Sequence, residues 1–202
     1  MSLRNIVFDF DGVLADTADI IFSLFREMNT LVTAEDFKAH HDGNVYEEPV
    51  IEFSVSAQKK FYEDYSNRLS ASHVVEAVDH IKQYAQSFNL FIISSNEEYA
   101  INAVLKEAGV AHCFKAVYGY NTHKSKVVKF EMIKAEYGVD FSETVFITDT
   151  LGDIKEGNKL GVKVIAVTFG FHPRERLEQG EQHAIVDTWE EIRAEIAVLS
   201  EN

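Results

Sequence analysis

Residues 6–12 have the sequence IVFDFDG, in which three apolar residues lead directly into two aspartates and a glycine. A short apolar run bounded in this way is typical of a strand that is buried on both faces. Further runs of the same kind occur at residues 90–93, 116–118, 145–147 and 164–167, with a weaker one at 184–186. The sequence therefore predicts a series of short buried strands.

Amphipathic helical patterns separate these runs, so strands and helices alternate along most of the chain. Near-continuous apolar strands alternating with helices are typical of a parallel sheet that is covered on both faces. We predict an α/β fold with a doubly wound parallel sheet. In such folds, ligands bind at the carboxyl ends of the strands.

One segment breaks the alternation, because residues 16–72 contain helical spacing but no strand run. A helical insert directly after the first strand is well placed to cover the carboxyl-end site. We predict a catalytic core formed by residues 1–15 and 73–202, with residues 16–72 as a helical cap. The aromatic stripe of this cap segment, which includes Phe61, Tyr62 and Tyr65, is expected to belong to the cap's core.

The composition restricts the partners of the protein. The 33 acidic and 19 basic residues among 202 give a net charge of −14, which repels nucleic acids and anionic membranes. A single cysteine, Cys113, cannot form an internal disulfide. No run approaches the ~18 apolar residues that a membrane span needs. We expect a cytoplasmic protein without nucleic-acid or membrane partners, and nothing in the sequence specifies an oligomeric state.

Polar side chains follow several of the predicted strands. The first strand leads into Asp9 and Asp11, the second into residues 94–96, and the fourth into Asp149 and Asp153. The carboxyl ends of parallel strands share one edge of a sheet, so up to four carboxylates are expected to meet. Their mutual repulsion implies a divalent cation, and hard oxygen ligands favour Mg²⁺. The predicted metal ligands are Asp9, Asp11, Asp149 and Asp153.

This arrangement of groups is suited to phosphoryl transfer. Asp9, ionised at neutral pH, can act as a nucleophile on phosphorus. Asp11 stands past the strand and can serve as general acid and then general base, provided that its pKa rises towards neutrality. Donors for the phosphate oxygens are expected from Ser94, from Ser95 and Asn96 through their backbone, and from Lys124.

The motif Asp9-Phe10-Asp11-Gly12-Val13-Leu14 resembles the first motif of the haloacid dehalogenase (HAD) superfamily. Residues 90–96, Lys124 and residues 147–153 are similar, in order, to its three other motifs. The resemblance implies Asp9 as nucleophile and Asp11 as acid/base, with Ser94 and Lys124 holding the phosphate. It also implies Mg²⁺ bound by Asp9, the Asp11 carbonyl and Asp149, with Asp153 in support. Residues 168–177 look most like the phosphoglycolate phosphatase branch.

Alternatives remain at several points. Lys126 competes with Lys124, which we prefer because Phe130 then keeps the family spacing. A phosphatase acting on a small phosphorylated metabolite is the favoured function, with a phosphomutase as the enzymatic alternative. A phospho-receiver-like or catalytically silent regulatory protein is the alternative of another class. We interpret His40 and His41 as surface loop residues.

Overall fold

The computed structural model describes residues 3–201, and six parallel strands form one sheet within it. The order in the sheet is β3-β2-β1-β4-β5-β6. The strands are β1 (Asn5–Phe8), β2 (Asn89–Ile93), β3 (Phe114–Tyr118), β4 (Thr144–Thr148), β5 (Lys163–Val167) and β6 (Ala184–Val186). The predicted doubly wound α/β fold is confirmed.

Helices cover both faces of the sheet. They are α1 (Ala18–Met28), α2 (Ala34–His40), α3 (Val55–Arg68), α4 (Ala77–Tyr84), α5 (Glu98–Glu107), α6 (Lys126–Tyr137), α7 (Leu151–Lys159), α8 (Arg174–Leu177) and α9 (Trp189–Glu201). No helix in residues 3–201 is long and apolar enough to cross a membrane.

The strands are apolar over most of their length because their apolar side chains pack into one of two separate cores. Ile6 and Phe8 of β1 belong to the first hydrophobic cluster, whereas Val7 belongs to the second. Successive side chains of a strand point to opposite faces, so this division places one core on each side of the sheet. The two cores leave only the strand ends open for polar chemistry.

The register of the central strands brings three strand ends to the same level. Phe8 is paired with Ile92 of β2 and with Ile147 of β4, and the Asp9 backbone N–H continues the ladder to the Ile147 carbonyl at 2.9 Å. The strand order reverses between β1 and β4, which is the position where a doubly wound sheet opens a crevice. Asp9 and Asp149 follow these two strands.

The segment between β1 and α4 is helical, as its spacing predicts, and it contains one helix, α2, that we did not anticipate. Aromatic side chains form its interior: Phe25 lies 5.5 Å from Phe37, 5.1 Å from Phe53 and 5.7 Å from Phe61 between ring centroids. Our division into a cap (residues 16–72) and a core remains a proposal. Residues 1, 2 and 202 of that core lie outside the described residues.

Polar contacts join this cap segment to the core. The Arg176 guanidinium donates to both carboxylate oxygens of Asp42, at 2.7 and 2.8 Å. The Gly152 N–H donates to the His41 carbonyl at 3.0 Å, and a Cβ at Gly152 would lie 2.4 Å from the Gly43 carbonyl oxygen. The absence of a side chain at Gly152 therefore allows the cap loop to approach the start of α7.

Candidate active site

The turn after β1 brings two aspartates into one buried site. Asp9 and Asp11 are each only 7% exposed, and the Asp9 carboxylate accepts a hydrogen bond from the Phe10 N–H at 2.8 Å. Gly12 has a φ of +74°, and a Cβ there would lie 2.0 Å from Asp149 Oδ2. Only glycine fits both requirements, so Gly12 lets the end of β1 close onto the end of β4.

Three donors hold the Asp11 carboxyl group. Oδ1 accepts from the hydroxyls of Thr17, at 2.8 Å, and Tyr65, at 2.6 Å, and Oδ2 accepts from the Asn96 side-chain amide at 2.6 Å. Burial raises the pKa of Asp11 above its ordinary value, and these three hydrogen bonds oppose the rise because they favour the anion. Thr17 and Tyr65 come from the cap segment, so the cap positions this carboxyl group directly.

Lys126, the first residue of α6, occupies the position that we had assigned to Lys124. Its buried ammonium lies 2.9 Å from Asp9 Oδ2 and 2.5 Å from Asp153 Oδ2. Burial would lower the pKa of Lys126, but the two carboxylates raise it above its ordinary value. Lys124 instead lies exposed before the helix, with its ammonium 5.4 Å from the Tyr46 ring centroid. The structure thus places Lys126, and not the preferred Lys124, beside Asp9.

Asp153 and Asp149 follow β4 but have different surroundings. Burial alone would raise the pKa of Asp153; Lys126 and hydrogen bonds, one of them from the Thr148 hydroxyl at 2.7 Å, lower it below its ordinary value. Asp149 is fully buried, and its Oδ2 accepts from the Phe171 N–H at 2.7 Å. Burial raises the pKa of Asp149 to about 7.

Three of the four predicted carboxylates, those of Asp9, Asp149 and Asp153, lie close enough to interact electrostatically. Asp11 is turned to its three donors, Asp153 is paired with Lys126, and no three His, Cys, Asp or Glu side chains in residues 3–201 make a metal site on their own. Asp149 Oδ1, however, is buried and has no hydrogen-bond partner among the described residues. A buried carboxylate oxygen without a partner is costly, so this atom and the neighbouring Asp9 fit a hard divalent cation.

The polar residues after β2 divide their roles. The Ser94 hydroxyl oxygen accepts from the Asn96 N–H at 3.0 Å, so that N–H is not free for a phosphate as we had expected. The half-buried Ser95 lines the cavity above Asp9, as does Asn96. The helix that follows, α5, begins at Glu98 and not at Asn96. Ser94 and Ser95 are thus close to the site, while Asn96 acts mainly on Asp11.

The interpretation of His40 and His41 as surface residues was wrong. His40 is 6% exposed and lies 5.3 Å from Phe25 between ring centroids, and the half-buried His41 packs 5.1 Å from Phe171. Burial lowers the pKa of His40 to about 4; burial and the neighbouring His40 lower that of His41 to about 3. Both are therefore neutral imidazoles at physiological pH.

A third histidine, His172, joins the core to the cap. It is fully buried; its Nδ1 accepts from the Leu151 N–H at 3.0 Å, so its Nε2 carries the proton and donates to the Lys38 carbonyl at 2.9 Å. The sequence around His172 did not predict this role, because both hydrogen-bond partners are backbone groups of residues distant in the chain.

A cavity of about 350 Å³ lies between the strand ends and the cap segment, and Asp9 and Asp11 open onto it. Phe61 and Tyr62 of α3 line it, and Tyr65 reaches Asp11. Tyr65 is buried in the hydrophobic core, as we expected, whereas Phe61 and Tyr62 also border the cavity. Helical spacing identified the buried face of α3. It could not show that part of this face borders a cavity.

Comparisons with known proteins agree with this geometry. The family model described as haloacid dehalogenase-like hydrolase matches residues 6–167. A phosphoglycolate phosphatase from Mesorhizobium japonicum is 26% identical, over 98% of this chain and 96% of its own length. The pyrophosphatase PpaX of Oceanobacillus iheyensis is 21% identical, over 95% and 96%.

Solved structures share the fold. A protein described as a predicted phosphatase from Clostridium acetobutylicum superposes with a TM-score of 0.77 at 19% identity, covering 98% of this chain and 100% of its own. The haloacid dehalogenase-like hydrolase SP0104 of Streptococcus pneumoniae gives 0.76 at 17% identity, covering 96% and 98%. The order of the strands also differs from the 2-1-3-4-5 order of receiver-type sheets. The chain belongs to the haloacid dehalogenase-like hydrolases.

Proposed function

We propose that this protein is a magnesium-dependent phosphatase that hydrolyses a small phosphorylated metabolite through an aspartyl phosphate on Asp9. The observation that carries the proposal is the buried contact of Asp9 with Lys126, beside the unpartnered Asp149 Oδ1 and at the floor of a cavity. Phosphoryl transfer depends mainly on positioning and on stabilisation of charge, and this arrangement supplies both. The relatives named as phosphatases support the same reaction class.

Asp9, Asp149 and the Asp11 carbonyl would hold the magnesium ion, with Asp153 supporting through Lys126. The bound ion would neutralise charge on the transferring phosphoryl group. The unpartnered, buried Asp149 Oδ1 supports this assignment. Burial raises the pKa of Asp9 well above its ordinary value; Lys126 lowers this pKa, and the charges of Asp153 and Asp149 raise it. A further cation would therefore favour the ionised form of Asp9.

The reaction then has two steps. In the first, an Asp9 carboxylate oxygen bonds to phosphorus, the ester P–O bond breaks, and Asp11 gives its proton to the leaving oxygen. In the second, the Asp11 carboxylate takes a proton from a water molecule, whose oxygen bonds to phosphorus as the bond to Asp9 breaks. Inorganic phosphate and the free Asp9 carboxylate result. Burial keeps the pKa of Asp11 raised, as the first step requires.

Lys126 and the groups after β2 have supporting roles. The Lys126 ammonium, already beside Asp9, is placed to stabilise negative charge on the phosphoryl oxygens. Ser94 has a hydroxyl proton to donate, because its oxygen only accepts from Asn96. The cap segment lines the cavity above Asp9.

The test is phosphate release from a panel of phosphate monoesters, beginning with phosphoglycolate, with and without Mg²⁺. We expect Mg²⁺-dependent turnover that Asp9→Asn abolishes. Asp16→Asn is the matched control, because Asp16 is exposed and lies outside the site. Activity in Asp9→Asn equal to that of the control would reject Asp9 as the nucleophile.

A further inference from the structure

One wall of the cavity is built from hydrocarbon and aromatic surface. Its residues come from α1, from α3, from the loop before α3 and from the loop after β5. They are Ile21, Phe25, Ile51, Phe53, Phe61 and Phe171. A leaving group bound above Asp9 can contact apolar atoms along this wall, and burying apolar surface there is favourable.

Tyr46 and Tyr62 form a second wall of the cavity. Tyr62 lies parallel to Tyr120, with ring centroids 4.4 Å apart and an interplanar angle of 3°. The Tyr46 hydroxyl donates to the Ser95 carbonyl at 2.5 Å, and so the Tyr62 hydroxyl donates to Tyr46 at 2.7 Å. Burial raises the pKa of Tyr62 to about 12, which keeps it neutral. Both hydroxyl protons are thus used within the wall.

Positive charge is scarce in this cavity. The basic side chains among its described lining residues are Lys124 and Lys126. Lys126 is paired with Asp9 and Asp153, and Lys124 lies exposed beside Tyr46. No arginine of residues 3–201 lines the cavity, while Glu52 adds negative charge to its lining.

The histidines that line the cavity, His40 and His41, do not add a positive charge to it. His40 Nδ1 accepts from the Ile51 N–H at 3.3 Å, and His41 Nδ1 donates to the Phe37 carbonyl at 2.8 Å. Each ring is satisfied at this nitrogen in its neutral form. A carboxylate or second phosphate placed here would lose water and could gain only the exposed Lys124 as a cation, which makes its burial costly.

We infer that the natural substrate is a phosphate monoester of a neutral alcohol that carries an apolar or aromatic ring, with the ring held between the phenylalanine and tyrosine walls. This inference rests on the proposed function and names its substrate class. It separates the chain from the two relatives, whose named substrates, phosphoglycolate and pyrophosphate, carry further negative charge beyond the reacting phosphate. The volume of about 350 Å³ is within the range of small-molecule sites and leaves room for a ring.

The first experiment compares kcat/KM for 2-phenylethyl phosphate, ethyl phosphate and phosphoglycolate at saturating Mg²⁺. The first two are esters of similar primary alcohols, so the comparison isolates the ring. Burial of a ring is worth about 1.5–3 kcal/mol, so we expect a preference for the phenylethyl ester over the ethyl ester of at least about tenfold. Phosphoglycolate should be the poorest substrate of the three.

Variants then test the two causes of the expected preference, which are the scarcity of positive charge in the cavity and its apolar wall. Gln58 lines the cavity from the exposed side of α3, so Gln58→Arg adds a cation without disturbing the core; Gln58→Met is its uncharged control. We expect Gln58→Arg, and not Gln58→Met, to raise the ratio of phosphoglycolate to ethyl phosphate turnover by about tenfold. Phe61→Ala should reduce kcat/KM more for the phenylethyl ester than for the ethyl ester.

The outcomes separate this inference from the proposed function. The substrate class would be overturned if phosphoglycolate were turned over at or above the rate of the phenylethyl ester. It would also be overturned if Gln58→Arg left the ratio of phosphoglycolate to ethyl phosphate turnover unchanged. Either outcome would leave the phosphatase proposal standing. Failure to release phosphate from every ester would overturn both.

Discussion

Replacement of Tyr65 by phenylalanine tests whether the cap tunes the acid/base group. The Tyr65 hydroxyl is fully buried and donates to Asp11 at 2.6 Å, so Tyr65→Phe removes one of three hydrogen bonds and keeps the ring that packs in the cap. A hydrogen bond to a charged group is worth about 1.5–3 kcal/mol, and 1.36 kcal/mol corresponds to about one pKa unit. The pKa of Asp11 should therefore rise by about one to two units.

The assay is the dependence of kcat/KM on pH. Formation of the aspartyl phosphate requires a protonated Asp11, so the alkaline limb follows its ionisation. Loss of a donor to the anion favours the protonated form, so the limb should move to higher pH by about one to two units. Tyr62→Phe is the matched control, because the Tyr62 hydroxyl contacts Tyr46 and not Asp11. An alkaline limb in Tyr65→Phe that coincides with that of the control would refute the reasoning.

Three lysines in or near the site give further predictions. Lys126→Met should reduce kcat about a hundredfold or more, which is the effect of removing one transition-state hydrogen-bond donor in other enzymes. Lys124→Met should have a small effect, because this side chain lies away from Asp9. Equal losses of kcat in the two variants would contradict the assignment. Lys129 is fully buried and donates to the Ser94 carbonyl, and burial lowers its pKa from 10.5 to about 7. Between these values the unfolded state binds the extra proton, so the unfolding free energy should rise with pH by up to about 1.4 kcal/mol per unit. Urea titrations from pH 7.5 to 9.5 should show a smaller slope for Lys129→Met, and an identical slope would contradict the burial argument.

The sheet and the principal aspartates were predictable because their signals are local. Strands buried on both faces require near-continuous apolar runs, and the side chains that follow such strands meet at one edge whatever the details of packing. The pairing of Phe8 with Ile92 and Ile147 places Asp9 and Asp149 as the strand runs indicated. The helical nature of residues 16–72 was visible for the same reason.

The identity of the lysine was not predictable from spacing. Lys124 and Lys126 are separated by one residue, and the start of α6 decides which of them enters the site. The helix begins at Lys126, after Ser125, and the Lys126 N–H donates to Glu156 of α7 at 3.0 Å. Packing of α6 against α7 thus selects the residue, and that contact joins positions distant in sequence.

The sequence by itself determined the doubly wound sheet, the helical insert and the aspartates at the strand ends, since strand burial and chain order set all three. Only the tertiary structure decided that His40 is buried and neutral, that Tyr65 reaches Asp11 and that Phe61 and Tyr62 border a cavity. Helical periodicity identifies which side chains avoid solvent. Whether those side chains pack on a neighbour or enclose a cavity depends on how the cap meets the core, through contacts such as that of Arg176 with Asp42.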